Sequence, residues 1–274
     1  MVAASAFPNL SSTFLKLGAM APKGETRIQL CGRLVVRLEG RRVDDAMPGA
    51  LGNLLFAYLV LNRLRRIDRD ELLVAVYGEE ATPGHQARLS VLLSKLRRIT
   101  GPELLVGRAQ LELALPQDAF IDLEVALDAL HRAESLAAKG EWAAAWGPAS
   151  LGYDVASRPL LRGHDRPWLD HWRRRLDGIR LSGLECLAAA SLGLGGPELP
   201  QAANCARRLI ELAPFRESGY RILMEAFERG GNVAEALRVY DRLRITLRDE
   251  LGIPPSSAVQ DVYRRLLGEN TTTA

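Results

Sequence analysis

Cysteine is scarce in this chain, three among 274 residues, and Cys31, Cys186 and Cys205 show no C-x-x-C spacing. An odd, scattered set argues against a disulfide frame or a zinc-finger pattern and fits reduced, buried thiols in a cytosol. Long hydrophobic runs are missing too. The most apolar stretch, Leu54 to Leu61, stops at Asn62 and Arg63, well short of the ~18 residues that a membrane span needs. No basic residue precedes Lys16, so the charged start of a secretory signal is absent and a cytoplasmic protein is expected. Catalytic signatures are lacking as well. Gly-x-Ser-x-Gly, His-Glu-x-x-His and a phosphate-binding loop do not occur, so no enzyme activity and no cofactor are expected. His164 and His171, near Asp165 and Asp170, have no third ligand at a fitting spacing, so no metal site is expected either.

What is present is globular in composition: 47% hydrophobic, 25% charged and 6% aromatic residues, with no dominant low-complexity tract. At 100–200 residues per domain the length suggests roughly two domains. The net charge of +3 is unevenly placed. Residues 27–115 hold 14 Lys and Arg against 10 Asp and Glu, whereas residues 116–274 hold 20 against 22. A basic excess confined to one segment suits a phosphate-binding module, and by charge alone it equally suits a solvated basic face.

Residues 1–25 lack sustained periodicity and read as a flexible leader, and residues 269–274 as a flexible tail. Between Arg27 and Leu38 two alternating runs break at Gly32; a Glu39-Gly40 turn and Arg41-Arg42-Val43 then complete a small antiparallel sheet. Three helices follow. The first, about Gly49 to Asn62, is apolar nearly all round and therefore buried. The second opens at Asp68, with Glu71 placed for a capping box, and ends at Gly78. The third has Thr82 as N-cap and Pro83 at the first helical position, and runs to about Thr100. At 100° per residue Leu89, Leu92, Leu93 and Leu96 share one face, while Ala87, Val91, Ser94 and Arg98 lie opposite, flanked by Arg88 and Lys95. Glu103–Val106 and Gln110–Leu115 then form a hairpin across Gly107-Arg108. Sheet, three helices and hairpin make a winged helix-turn-helix over residues 27–115.

From Asp122 onward only helices are expected: about 122–139, 141–151, 165–192, 198–213, 215–229, 232–251 and 256–267. Ala202, Ala206, Leu209 and Pro214 are followed 34 residues later by Ala236, Tyr240, Leu243 and Arg248, and 34 is the tetratricopeptide period. The fold class is therefore mainly α, with an N-terminal winged helix followed over 120–268 by an all-α tetratricopeptide-like repeat domain.

At this point the element order and several segments resemble the Streptomyces antibiotic regulatory protein (SARP) family. Leu54 to Arg63, Asp68-Arg69-Asp70-Glu71-Leu72 and Leu92-Leu93-Ser94-Lys95-Leu96-Arg97-Arg98 resemble its OmpR-type winged helix. Glu235 to Tyr240 and Asp249-Glu250-Leu251-Gly252-Ile253-Pro254-Pro255 resemble its bacterial transcriptional activator domain. The resemblance spans about residues 27–268. It implies a transcriptional activator that binds direct repeats of double-stranded DNA as a homodimer and recruits RNA polymerase. Two departures stand out: Pro48-Gly49-Ala50-Leu51-Gly52-Asn53 lacks two arginines common in the family, and the wing reads Arg108-Ala109-Gln110 where a Gly-Tyr pair is usual.

The candidate DNA contacts are Arg88, Ser94, Lys95 and Arg98 on the third helix, in the major groove or on its flanking phosphates, with Arg108 of the wing reaching backbone or minor groove. Ala87 and Val91 occupy positions where a base reader usually carries donors. In the Arg63, Arg65, Arg66 stretch, Arg65 is a further candidate for phosphate, and simple exposure is the alternative. Trp142, Trp146, Trp168 and Trp172, two pairs at i, i+4, are expected to pack helices together. Gly193 to Pro197 is expected to be an interhelical connector. The rival to DNA binding is a tetratricopeptide-like interaction scaffold whose winged helix has weakened or lost its hold on DNA.

Overall fold

A computed structural model of the chain describes residues 25–79 and 82–268. The expected leader falls outside the described residues except for its last position, and the expected tail falls outside entirely. The chain packs as two compact units: one runs up to Asp122 and includes Leu160–Leu169, and the other comprises Leu123–Pro159 and Asp170 onward.

The first unit runs β1 (Arg27–Gln29), β2 (Val35–Leu38), β3 (Arg41–Arg42), α1 (Gly49–Leu61), β4 (Ile67–Asp68), α2 (Arg69–Tyr77), α3 (Pro83–Thr100), β5 (Leu105–Val106), β6 (Gln110–Leu113) and β7 (Phe120–Ile121). The winged helix expected from the sequence is therefore present. β1, β2 and β3 form an antiparallel meander, with Ile28 opposite Val36 and Arg37 opposite Arg42. Alternation puts Ile28, Val36 and Leu38 inside. β7 was not foreseen. Two residues are too few to show an alternating pattern; the strand joins the sheet parallel to β1 with Ile121 opposite Ile28. Directly after it, the buried carboxylate of Asp122 accepts the amides of Leu30 at 3.0 Å and Cys31 at 2.9 Å, which satisfies backbone donors that have run past the strand ladder. The segment Leu160–Leu169 returns to the same neighbourhood: the Leu161 amide donates to the Leu30 carbonyl at 3.1 Å.

α1 buries Gly52, Leu54, Leu55, Phe56, Ala57, Leu59 and Val60, as its apolar circumference demands. α2 corrects one expectation, since Asp68 and Glu71 form no capping box. The Asp68 carboxylate accepts from Gln110 Nε2 at 3.0 Å across the β4–β6 ladder, and Glu71 turns to Tyr58 and Arg65. A cross-strand partner and a guanidinium outbid the local amides, because charge-assisted bonds are the stronger ones. α2 ends at Gly78 with φ +90, as expected. At the start of α3 the Thr82 amide donates to His85 Nδ1 at 3.0 Å, and the His85 ring stacks on Tyr77 at 4.4 Å.

The second unit contains α4 (Asp122–Ala138), α5 (Trp142–Ala156), α6 (Pro167–Leu194), α7 (Leu199–Leu212), α8 (Glu217–Arg229), α9 (Val233–Leu251) and α10 (Ser257–Leu266), with the first residues of α4 and α6 counted in the first unit. α7 and α9 start 34 residues apart, as the repeat spacing requires. Ala202, Ala206, Leu209, Ala236 and Leu243 are fully buried, so small side chains line the helix contacts. The Gly252–Ser256 turn is held by the Ser256 amide, which donates to Glu217 Oε2 at 2.7 Å. Gly193 is the tightest glycine of this unit, since a Cβ there would lie 2.4 Å from the Trp142 ring. Two of the tryptophans pack against elements far away in sequence. Trp142 covers Gly193, while Trp168 belongs to the first unit, where its Nε1 donates to the Ala75 carbonyl at 3.0 Å and its ring meets Tyr58 edge-on at 5.0 Å.

Candidate nucleic-acid interface

The candidate residues of α3 share a surface because of helical geometry. Burial of Leu89, Leu93 and Leu96 fixes the inner side, and 100° steps leave Ala87, Arg88, Val91, Ser94, Lys95 and Arg98 exposed on the outer one. Arg88, Val91, Lys95 and Arg98 follow one another at steps of three and four, which aligns them along the axis. At ~1.5 Å rise per residue this strip is about 15 Å long, enough for a helix lying in a groove.

Arg108 stands exposed in the turn between β5 and β6. That turn needs a glycine at 107: φ is +89, and a Cβ would meet the Gln110 carbonyl oxygen at 1.9 Å. Three connections then hold the wing. Arg97 Nε donates to the Leu105 carbonyl at 3.2 Å, and the same guanidinium donates to the Gly107 carbonyl. The Arg69 amide donates to the Ala109 carbonyl at 3.1 Å. The third is the Gln110 side-chain bond to Asp68. The wing is thereby tied both to the C-terminal end of α3 and to the start of α2. The Arg69 guanidinium donates to Ser90 Oγ, linking α2 to α3.

The basic residues of the first unit sort into two kinds. Arg65 donates to both Glu71 carboxylate oxygens and to Asn62, and the Tyr58 hydroxyl joins the same carboxylate. Arg65 holds the Glu71 carboxyl below the usual range, while burial, followed by the negative Glu71, pushes the Tyr58 phenol up to about 12. Arg66 pairs with Glu112 at 3.2 Å and Arg42 with Asp44 at 2.8 Å. By contrast Arg88, Lys95, Arg98 and Arg108 have no ion-pair partner among the described residues. Ser94 is exposed beside them. Arg69 and Arg97 escaped the sequence reading as structural braces, because no local pattern distinguishes an arginine that will find a carbonyl from one that will not. Among the described residues no cluster of three or more His, Cys, Asp or Glu could hold a metal, and no helix is long and apolar enough to cross a membrane.

Comparison with known proteins bears on both units. Residues 121–267 match the family described as Bacterial transcriptional activator domain. The chain is 32% identical over 217 residues to Regulatory protein AfsR of Streptomyces coelicolor, an alignment covering 78% of this chain and 21% of AfsR. It is 27% identical over 259 residues to Transcriptional regulatory protein EmbR of Mycobacterium tuberculosis, covering 89% of this chain and 64% of EmbR. The chain thus spans about a fifth of AfsR and under two thirds of EmbR. A solved structure of Mycobacterium tuberculosis EmbR, in complex with a low-affinity phosphopeptide, superposes with a TM-score of 0.77 at 22% identity over 92% of this chain and 66% of that one, a likeness of fold.

Proposed function

The chain belongs to the bacterial transcriptional activator domain family, among the SARP-type transcriptional regulators, and on that premise we propose that it binds double-stranded DNA sequence-specifically and activates transcription. One observation carries the reading: among the described residues four cations, Arg88, Lys95, Arg98 and Arg108, stand without ion-pair partners on α3 and the wing of a winged helix whose other arginines are largely occupied. The physics is direct. A major groove about 12 Å wide accepts a helix, and cations on its flanks release counterions from the phosphates they meet. In this reading Arg88, Lys95 and Arg98 take phosphates flanking the groove, Ser94 faces the bases or the adjoining backbone, and Arg108 reaches backbone phosphate at the neighbouring minor groove. Arg65 adds a phosphate contact only in competition with Glu71.

We further propose that two copies occupy direct repeats, which requires a head-to-tail rather than an isologous interface. The helical unit then supplies the contacts to the second copy and to RNA polymerase. A protein that reads the bacterial chromosome acts in the cytoplasm. The test is a salt titration of the whole chain on the DNA upstream of its own gene against a scrambled duplex of equal length. A preference of a few kcal/mol with a steep salt slope is expected, and replacing Arg88, Lys95 and Arg98 together by Ala should weaken binding to both duplexes and flatten the slope. Affinity unchanged by that triple substitution refutes the reading.

A second reading, an interaction scaffold, is favoured by a groove of about 440 Å³ in the helical unit, lined by Leu199, Pro200, Ala203, Asn204, Arg207 and Phe227. Equal and feeble binding to both duplexes, unaltered by the triple substitution, favours that alternative.

A further inference from the structure

α3 carries an apolar spot in the middle of the face that sequence expectation reserved for hydrogen-bond donors. Val91 is 53% exposed, midway along the helix, with Ala87 one turn before it and Arg88, Lys95 and Arg98 on its flanks. Among the described residues no hydrogen bond or buried contact accounts for a valine there. About half of it lies open to solvent, and a β-branched residue loses rotamer freedom in a helix compared with the alanine that would serve equally well. The neighbouring hydroxyl is also occupied: Ser90 Oγ donates to the Gln86 carbonyl at 2.8 Å and accepts from Arg69. The strip facing a groove therefore offers two methyl groups of Val91, the small Ala87 and the single uncommitted hydroxyl of Ser94.

A side chain that neither donates nor accepts can discriminate base edges only by apolar contact. In the major groove the one apolar group presented by an unmodified base is the C5 methyl of thymine. We propose that Val91, with Ala87 leaving room beside it, covers a thymine methyl and so specifies thymine at one position of each half-site. Arg88, Lys95 and Arg98 hold the helix in register by their phosphate contacts, and Val91 supplies selectivity that those contacts lack. The inference rests on the DNA-binding reading above.

The test separates the two. A preferred duplex is first selected from a random-sequence pool with the whole chain, and each of its thymines is then replaced in turn by deoxyuridine, which removes only the methyl. With the unaltered protein, one thymine per half-site should lose about fourfold in affinity on losing its methyl, the equivalent of ~0.8 kcal/mol for one buried methyl-sized group. With Val91→Ala the same replacement should have no effect at that position, while affinity for the thymine duplex falls by a similar factor. Val91 is exposed, so this variant is expected to fold, which circular dichroism and unchanged unfolding check. If no thymine is sensitive, or the sensitivity persists in Val91→Ala, the assignment to Val91 is overturned while DNA binding stands. If selection yields no preferred duplex, the DNA reading fails and this inference fails with it.

Discussion

The sorting of cations makes a quantitative prediction about salt. Each phosphate neutralised by a side chain of the free set contributes about −0.9 to the slope of log affinity against log salt on duplex DNA, so Arg88, Lys95, Arg98 and Arg108 together give roughly −3.6 per protomer. Raising salt from about 50 to 200 mM then weakens one protomer's hold by roughly 150-fold, and a pair on adjacent sites shows a slope near −7. Replacing any one of the four by Gln should remove ~0.9 from the slope for each bound protomer. Arg66 is the control. It is 72% exposed, and charge alone would count it with the others, yet it is paired with Glu112. Arg66→Gln should leave the slope where it was. Fluorescence anisotropy on a labelled selected duplex, at five or more potassium chloride concentrations, measures all five variants and the parent. A slope reduced as much by Arg66→Gln as by Arg98→Gln would show that intramolecular pairing does not decide which residues meet phosphate, and the reasoning would fall.

Three further perturbations test the scaffold beneath the site. Asp122→Ala leaves the buried amides of Leu30 and Cys31 without their carboxylate acceptor, a loss of about 2–5 kcal/mol for two unsatisfied donors. Thiol labelling followed by mass mapping should find the buried Cys31 modified at least ~30-fold faster, with Cys186 and Cys205 of the second unit unchanged; an unaltered Cys31 rate refutes the role given to Asp122. Glu71 is held below its ordinary value of 4.5 by Arg65, so its stabilisation is complete above that pH and is lost as pH falls through the depressed folded value. Glu71→Gln should cost ~1 kcal/mol at neutral pH, discounted for the half-exposed pair, and the gap to the parent in urea unfolding should close as pH falls below 4.5. Gly193→Ala forces the Trp142 ring aside and should destabilise the second unit by about 1–3 kcal/mol, seen as a shifted tryptophan emission and faster Cys186 labelling.

Periodicity made most of the fold legible. The helix boundaries of the second unit lie within a few residues of the apolar pattern, with α5 as the exception: it continues to Ala156, five residues past the expected end at 151. Gly152 lies inside this helix as a packing residue, where a Cβ would sit 3.3 Å from the Ala126 carbonyl oxygen. Features that depend on distant partners were not legible. β7 is two residues long, and Asp122 meets amides about ninety positions earlier in the chain. Asp68 and Glu71 had the right local spacing for a capping box, and a strand and an arginine brought from elsewhere took both side chains. Local pattern sets what a residue can do, and tertiary neighbours decide which option is strongest.

The same division governs the site. The outward strip of α3 could be read from spacing alone, because burial of three leucines dictates what lies opposite them. The status of the other basic residues could not, since Arg65, Arg66, Arg69 and Arg97 differ from Arg88 and Arg98 only in what the fold places near them. Their pairing has a consequence for affinity. Of 14 basic residues between 27 and 115, four form the unpaired set on α3 and the wing, so the sequence surplus overstates what one protomer can offer to DNA. Phosphate contacts serve specific and non-specific binding alike, so in the proposed reading one thymine methyl and at most one or two base-edge hydrogen bonds stand against the ~4–10 kcal/mol that separates the two. A second protomer on an adjacent repeat doubles each of these terms and converts the second binding event into a local one. That arithmetic, more than any resemblance, is the physical reason for expecting paired copies on repeated half-sites.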